Sequence, residues 1–337
     1  MSDDTLIEHF ERSLHELCGN ERIQAIESGA GDATLLWSQV NALGFGDALV
    51  SADKGGAGLS FAQAGALMAV AARCGLPHPL GDTMVARSLL RAADWNDDGS
   101  CIALAQSNGE TLGCALTAGA QLATFVLLAH RDEWLLLPVA EARKEASHWR
   151  PHTSASLRWE DESSVRFRIP RTDVRCEDFT NAIEAACLSG TMDRVLALSV
   201  QYANDRQQFG RAIGQFQAVQ QDLAVMAEQA NYASMAARMA GSTAQPVPNA
   251  LLAATGKLTA SEAALRVATL AHAVHGAIGI TQEHVLGLFT SRLHEWRMCG
   301  ASEHACALAI GAALVRGEQN ISSFVRQSLT AAPAMEA

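Results

Sequence analysis

Aromatic side chains are scarce in these 337 residues, at 5%, and positive charge is in deficit: 25 Lys and Arg face 36 Asp and Glu, a net charge of -11. A surface of that sign repels phosphate backbones and anionic lipid, which excludes nucleic acid as a general partner but leaves room for a local basic site. The eight cysteines form no CxxC pair and the start MSDDTLIEHFERS is acidic rather than a signal peptide, so the sequence predicts free thiols in a cytoplasmic protein. No stretch reaches ~18 apolar residues without a charge, so no membrane span is expected. Eleven histidines supply no HExxH, and the nearest run, His294-Glu-Trp-Arg-Met298, lacks the second ligand, so no metal site is expected. Phosphate fingerprints are missing too. Gly256-Lys257-Leu258 has neither the hydroxyl residue nor the upstream glycine of a P-loop, and Gly44-Phe45-Gly46 meets Leu49 where a dinucleotide loop needs glycine. Both read as structural turns.

What is present is an ordinary globular composition, 49% hydrophobic and 18% charged, on a chain long enough for two or three units. Many alanines with few aromatics favour closely packed helices. Residues 1–100 read as an N-terminal helical domain: Leu6, Phe10, Leu14 and Leu17 recur at helical spacing, as do Leu35, Trp37, Val40 and Leu43. The Ala-rich stretch Leu59 to Cys74 stops at Gly75 with Pro77 beyond. Between Cys101 and Cys176 the period shortens to that of a small β domain, with apolar runs Gln121 to Ala129 and Glu133 to Pro138, and alternation from Ser164 to Ile169. From 177 to 330 the helical period returns, long enough for a four-helix bundle with breaks at Gly210–Gly214, Gly241–Pro248 and Gly276–Gly279. The fold class expected is α+β, mainly α. The tail Ala331 to Ala337 should fray.

Two of those breaks carry chemistry. An almost wholly apolar helix, Asn181 to Ala203, runs into Asp205-Arg206-Gln-Gln-Phe209-Gly210-Arg211, and the next helix begins near Ile213. Further on, Ala273-Val-His275-Gly276-Ala-Ile-Gly279-Ile-Thr281 offers open backbone, with Thr281 placed to cap a helix starting near Gln282. One Arg plus backbone donors suits a pyrophosphate. By spacing alone, a solvated turn and a ligand loop both remain open.

The run from Tyr202 to Gln220, YANDRQQFGRAIGQFQAVQ, resembles the bundle signature of the acyl-CoA dehydrogenases, and His275 to His284, HGAIGITQEH, resembles their second motif. Gly55 to Ser60 is similar to that family's N-terminal loop, and the order helices, strands, helices matches along nearly the whole chain. The resemblance implies that Arg206, Phe209, Gln217, Gly276 and Gly279 bind the ADP half of an FAD held by a neighbouring subunit. The Gln that commonly opens the second motif is Ala273 here.

The departures carry as much as the matches. The family's flavin-contacting Thr/Glu/Pro/Gly/Ser-Asp segment is replaced by Leu104-Ala-Gln-Ser107-Asn-Gly109. Its proton-abstracting Glu would fall near Gly300 or near Thr180, and neither is acidic; Glu184 and Glu295, each about a turn away, read as ordinary helix-surface or capping acids, so the catalytic residue is unassigned. The resemblance therefore implies the short subunit of a bacterial heteromeric acyl-CoA dehydrogenase of the steroid side-chain type. Its partner in a heterodimer or heterotetramer would supply the base, with an acyl-CoA substrate and an electron-transfer acceptor. A non-catalytic assembly subunit, or a self-sufficient homodimer with a displaced base, are the alternatives.

Overall fold

In the computed structural model, residues 3–96, 99–171, 174–243, 247–281, 283–317 and 320–326 are described. Five helices come first: α1 (Asp3–Leu17), α2 (Asn20–Glu27), α3 (Ala33–Ala42), α4 (Phe61–Arg73) and α5 (Leu80–Ala92). Their ends are written locally. Asp32 accepts the Leu35 N–H at 2.8 Å to start α3, and Ser60 with Gln63 forms a reciprocal capping box at the start of α4.

Seven strands follow: β1 (Ile102–Gln106), β2 (Gly113–Thr117), β3 (Phe125–His130), β4 (Glu133–Pro138), β5 (Arg143–Ala146), β6 (Ala155–Arg158) and β7 (Phe167–Pro170). They form a four-stranded sheet, β1-β3-β4-β7, whose β1–β3 pair is parallel, and a three-stranded antiparallel sheet, β2-β6-β5. Five of six residues in both β3 and β4 are buried, which is why these runs read as continuously apolar. The alternation from Ser164 to Ile169 does not become one strand. The Asp161 carboxylate accepts the Ser163 N–H at 2.7 Å and turns 162–164 into a 3₁₀ segment, so β7 starts only at Phe167.

The rest is α6 (Cys176–Asp205), a short hairpin of β8 (Gln207–Gln208) and β9 (Arg211–Ala212), α7 (Gln217–Gly241), α8 (Ala250–His275), α9 (Leu286–Met298), α10 (Glu303–Arg316) and α11 (Ile321–Phe324). A 3₁₀ turn at Ile213–Gln215 delays the helix expected near Ile213 until Gln217. The residues expected to fray, 331–337, lie outside the described residues, as does Gln282. α9 begins at Leu286 rather than near Gln282, and Thr281 does not cap it: its hydroxyl donates back to the Ile278 carbonyl, while His284 Nδ1 accepts the Leu286 N–H. α8 with its following turn is, by length and composition, apolar enough to cross a membrane, although the charge-free criterion predicted no such segment. Here it packs against α6, α7 and α10.

Small residues set how closely these helices approach. A Cβ on Gly190 of α6 would run into the backbone of Ala69 on α4, and one on Gly256 of α8 would lie 2.6 Å from the Ala240 Cβ of α7. The alanine-rich composition is the same constraint spread over many positions.

A buried ion network ties the three parts of the chain together. Arg150, in the loop before β6, donates to Glu27 at the end of α2 (Nη2–Oε1 2.6 Å) and to Glu295 of α9 (Nη1–Oε1 3.1 Å). Arg292 of α9 reaches the same Glu27 at 2.8 Å and the Leu76 carbonyl at 3.3 Å. Ser147 and Ser154 donate to Glu295 at 2.6 and 2.7 Å. Burial alone would raise the Glu27 carboxyl, but Arg150 and Arg292 hold it at about 2, against 4.5 when unpaired. A carboxylate depressed on folding stabilises fully above its unfolded pKa and loses that contribution as pH falls through the folded one. Glu27 therefore contributes roughly 3 kcal/mol at neutral pH that drains away from pH 4.5 towards pH 2. Glu27→Gln should cost about 3–5 kcal/mol at pH 7 by leaving two buried arginines under-compensated. Denaturant melts at a series of pH values should show the variant with a flatter acid limb; equal limbs would refute the assignment.

Candidate functional site

Helix α6 ends where the first motif begins, and α8 ends where the second begins, and the fold brings the two ends together. The Tyr202 ring stacks on His275 with centroids 4.5 Å apart and meets His284 edge-on at 6.0 Å. Ala203, Ile213 and Val274 form a small apolar cluster beneath them. Arg206 is the C-cap of α6, exposed and without an ion pair among the described residues. Beyond it the β8–β9 hairpin turns at Phe209 and Gly210. Phe209 is 92% exposed and held at φ +51°, a left-handed conformation that costs a non-glycine residue about 1–3 kcal/mol. Its ring leans edge-on against Phe216, over which the Arg211 guanidinium lies 4.1 Å from the centroid. Gln217 is exposed on the first turn of α7, whose N-cap, Phe216, supplies no side-chain acceptor.

The two glycines of the second motif do different jobs. Gly276 has φ +62° and nothing within 4 Å of where a Cβ would stand, so its backbone is open to a ligand. Gly279 is buried, and a Cβ there would lie 2.9 Å from His275 and 3.1 Å from Leu286, which makes its bareness a packing need. His275 donates from Nδ1 to the Ala271 carbonyl at 2.8 Å and keeps a buried Nε2 with no partner. Burial lowers the pKa of His272, His275 and His284 alike, so the positive charge of this surface comes from Arg206 and Arg211. Arginine, a bare backbone turn, uncapped helix N–H groups and an orphaned acceptor fit the diphosphate and adenosine of a dinucleotide such as FAD.

A second site lies at the junction of the three parts of the chain. A cavity of about 270 Å³ is bounded by α4, the start of α5, the ends of β1 and β2, α6 and the turn after α9. The departing segment Leu104 to Asn108 forms one wall, with Thr180 and Glu184 on α6 and Gly300 after α9 opposite. Glu184 is no surface acid. Only 8% exposed, it accepts from the ammonium of Lys257 at 2.5 Å, and that ammonium also donates to the backbone carbonyls of Trp296 and Cys299. Burial raises the Glu184 carboxyl while Lys257 pulls it down. Glu295 likewise proves fully buried, within the ion network rather than on the surface. Both acids read as surface residues because nothing in the local sequence shows the partners that neutralise them.

Gly300 takes φ +60°, and a Cβ there would stand 2.8 Å from the Glu184 carboxylate. The space a side chain at 300 would enter is thus already held by Glu184. Lys257 was passed over in the sequence as part of a turn, but it lies within α8 and is fully buried. A signal existed: Lys257 stands on the stripe Ala253, Ala260, Ala264 and Val267, all fully buried, where a lone cation demands a partner. Asp82, on the first turn of α5, also lines the cavity, and no sequence pattern marks it. Among the described residues no cluster of metal-ligating side chains occurs, and all eight cysteines are free thiols.

Residues 181–313 match the family described as acyl-CoA dehydrogenase, C-terminal domain. Acyl-CoA dehydrogenase IpdE2 of Mycobacterium tuberculosis is 31% identical over 268 residues, 77% of this chain and 79% of that protein. Among solved structures, a variant of the Tcur3481-Tcur3483 steroid ACAD superposes with a TM-score of 0.77 at 20% identity, covering 94% of this chain and 99% of that one. The ChsE4-ChsE5 complex from Mycobacterium tuberculosis follows at 0.75 and 18% identity, covering 93% and 97%. The fold is shared with these structures, and with a curated member alike over most of both sequences, this chain belongs to the acyl-CoA dehydrogenase family.

Proposed function

We propose that this chain is one subunit of a heteromeric, FAD-dependent acyl-CoA dehydrogenase, and that a partner subunit supplies the catalytic carboxylate and the flavin-ring pocket. The observation that carries the reading is the state of position 300. Removing the α-proton of a thioester needs a free carboxylate beside the carbon. Gly300 has no side chain, Thr180 has only a weakly basic hydroxyl, and the one carboxylate filling the space is clamped by Lys257. The cavity, at about 270 Å³, lies at the small end of the ~300–1,000 Å³ usual for drug-sized ligands.

When bound, FAD supplies the hydride acceptor for the β-carbon. This chain's own residues would hold the ADP half across the interface: Arg206 would pair with the diphosphate, Gly276 would let it approach the backbone, Gln217 would donate from its amide and Phe209 would cover the adenosine. The strained, exposed Phe209 and the outward apolar residues Leu308 and Val315 of α10 support a surface that a partner covers. Two of the similar structures carry paired names, and one is called a steroid ACAD. By that likeness the substrate is a thioester with a bulky polycyclic acyl group, and the electrons leave to an electron-transfer acceptor.

A second reading has one observation in its favour: Glu184 lines the cavity and could act as a displaced base in a self-sufficient chain. Under the heteromer reading, the chain purified alone shows little or no dehydrogenation, and co-expression with a second dehydrogenase-like subunit yields activity with one FAD per pair. Turnover at ordinary rates with one FAD per chain would refute it, and an assembled pair in which this chain could be replaced without effect on flavin would make it a scaffold only.

Replacing the ion pair as a unit, Glu184→Gln with Lys257→Met, avoids an uncompensated buried charge. The assembled enzyme carrying both changes should keep its turnover within severalfold, whereas a ~100-fold or greater loss marks Glu184 as the base. Arg206→Glu should lower the flavin content of the assembled enzyme by setting a carboxylate against the diphosphate. Full occupancy at limiting FAD, read from the flavin absorbance, would remove Arg206 from the site.

A further inference from the structure

We propose that the cavity enclosed by α1, α4, α6 and α7 is a ligand site separate from the two described above, one that takes an ammonium group carried on an apolar chain, with Asp193 as its counter-ion and Ser189 as a second acceptor. The inference asks nothing of a partner or of FAD, so it stands apart from the heteromer reading.

The space measures about 910 Å³, within the ~300–1,000 Å³ of small-molecule sites. It lies on the other side of α6 from the junction cavity: Asp193 stands about two and a half turns beyond Glu184 and so faces the opposite way. α4 divides its residues in the same manner, giving Met68, Ala71 and Ala72 to the junction cavity and Ala66, Ala69 and Val70 to this one. Leu6 and Ile7 of α1 and Met235 and Met239 of α7 complete the apolar walls, the thioethers able to follow the shape of what they hold. The floor is bare at Gly65. Nothing lies within 4 Å of where its Cβ would stand, so packing does not require a glycine there, yet a glycine in mid-helix costs stability against alanine.

The polar groups on the walls set the chemistry. Ser189 and Asp193 are four residues apart and share one face of α6. Among the described residues neither side chain has a hydrogen-bond or ion-pair partner, and both line the cavity. The Arg73 guanidinium acts on Asp193 from a distance but is bound to Glu11 at 2.6 Å. Burial raises the Asp193 carboxyl and Arg73 lowers it in part; an ammonium beside it would favour the ionised form. Asp4 of α1 brings a further negative charge to the wall. On α7, Arg238 is free of partners among the described residues, but it is exposed at the rim, where water and salt screen it.

A cationic head therefore gains a half-buried carboxylate with one hydroxyl beside it, and its chain gains the apolar walls. A neutral head leaves Asp193 unpaired, and an anionic head meets Asp193 and Asp4 with only Arg238 to receive it. Octylammonium, octan-1-ol and octanoate carry one chain under these three heads and serve as probes.

The test is NMR titration of the full-length chain, isotope-labelled at its methionine methyls, with the signals assigned through Met235→Leu, Met239→Leu and Met68→Leu. Met235 and Met239 report this cavity, and Met68 reports the junction cavity. Octylammonium should move the Met235 and Met239 signals, with octan-1-ol about 10-fold weaker or more at the same two signals and octanoate weaker still. Asp193→Asn should weaken octylammonium about 10-fold and leave octan-1-ol unchanged. Gly65→Leu, which fills the floor with a good helix former, should abolish the response of Met235 and Met239 to octylammonium. Its fold is checked by circular dichroism; should it fail to fold, Asp193→Asn decides alone. The proposal falls if octylammonium moves only Met68 or nothing, if octanoate moves Met235 and Met239 as readily, or if either variant binds octylammonium as the parent does. Absence of dehydrogenase activity in the assembled pair would strike the functional reading and leave this one standing.

Discussion

The ion network that ties the three parts of the chain together hangs on the shared carboxylate of Glu27. Two arginines from different parts of the chain, Arg150 and Arg292, converge on it, and Arg150 passes the link to Glu295. Through these four side chains the end of α2, the loop before β6 and the helix α9 are fixed against one another. Arg150 and, at the end of α9, Trp296 form part of the wall of the junction cavity. Hydrophobic packing is non-directional and would tolerate sliding between layers; an ion network with defined donors and acceptors does not.

Lys257 does the same for the far side of the cavity. Its ammonium gathers Glu184 from α6 and the last carbonyls of α9, which helix geometry leaves without partners of their own. One buried cation thereby settles the end of α9 and the path of the turn at Gly300. Such a group is costly to bury singly, and its three acceptors are what make it tolerable.

Much of the architecture was legible because it is local. The apolar period and the Gly75 stop mark α4, and the two-sided burial of β3 and β4 makes them stand out as short apolar runs. The elements misplaced are those decided by one side chain reaching the backbone: Asp161 shortening β7, and Thr281 bonding back to Ile278 instead of opening α9. The surface at the ends of α6 and α8 was visible as two glycine-marked breaks, and only the fold shows Tyr202 stacked on His275. The cavity was not visible. Glu184 and Lys257 are 73 residues apart, and Glu295 and Arg150 145 apart, so no local pattern reveals that these acids are buried and neutralised. Few sequence rules flag Asp82 either, since an acid on the first turn of a helix is ordinarily a solvated one.

The left-handed turn at Gly300 couples three positions, Gly300, Glu184 and Lys257. A side chain placed there would meet the carboxylate of Glu184, and removing Glu184 would leave Lys257 in the core without its carboxylate partner. Substitutions at these positions should therefore combine non-additively, each one altering the cost of the next.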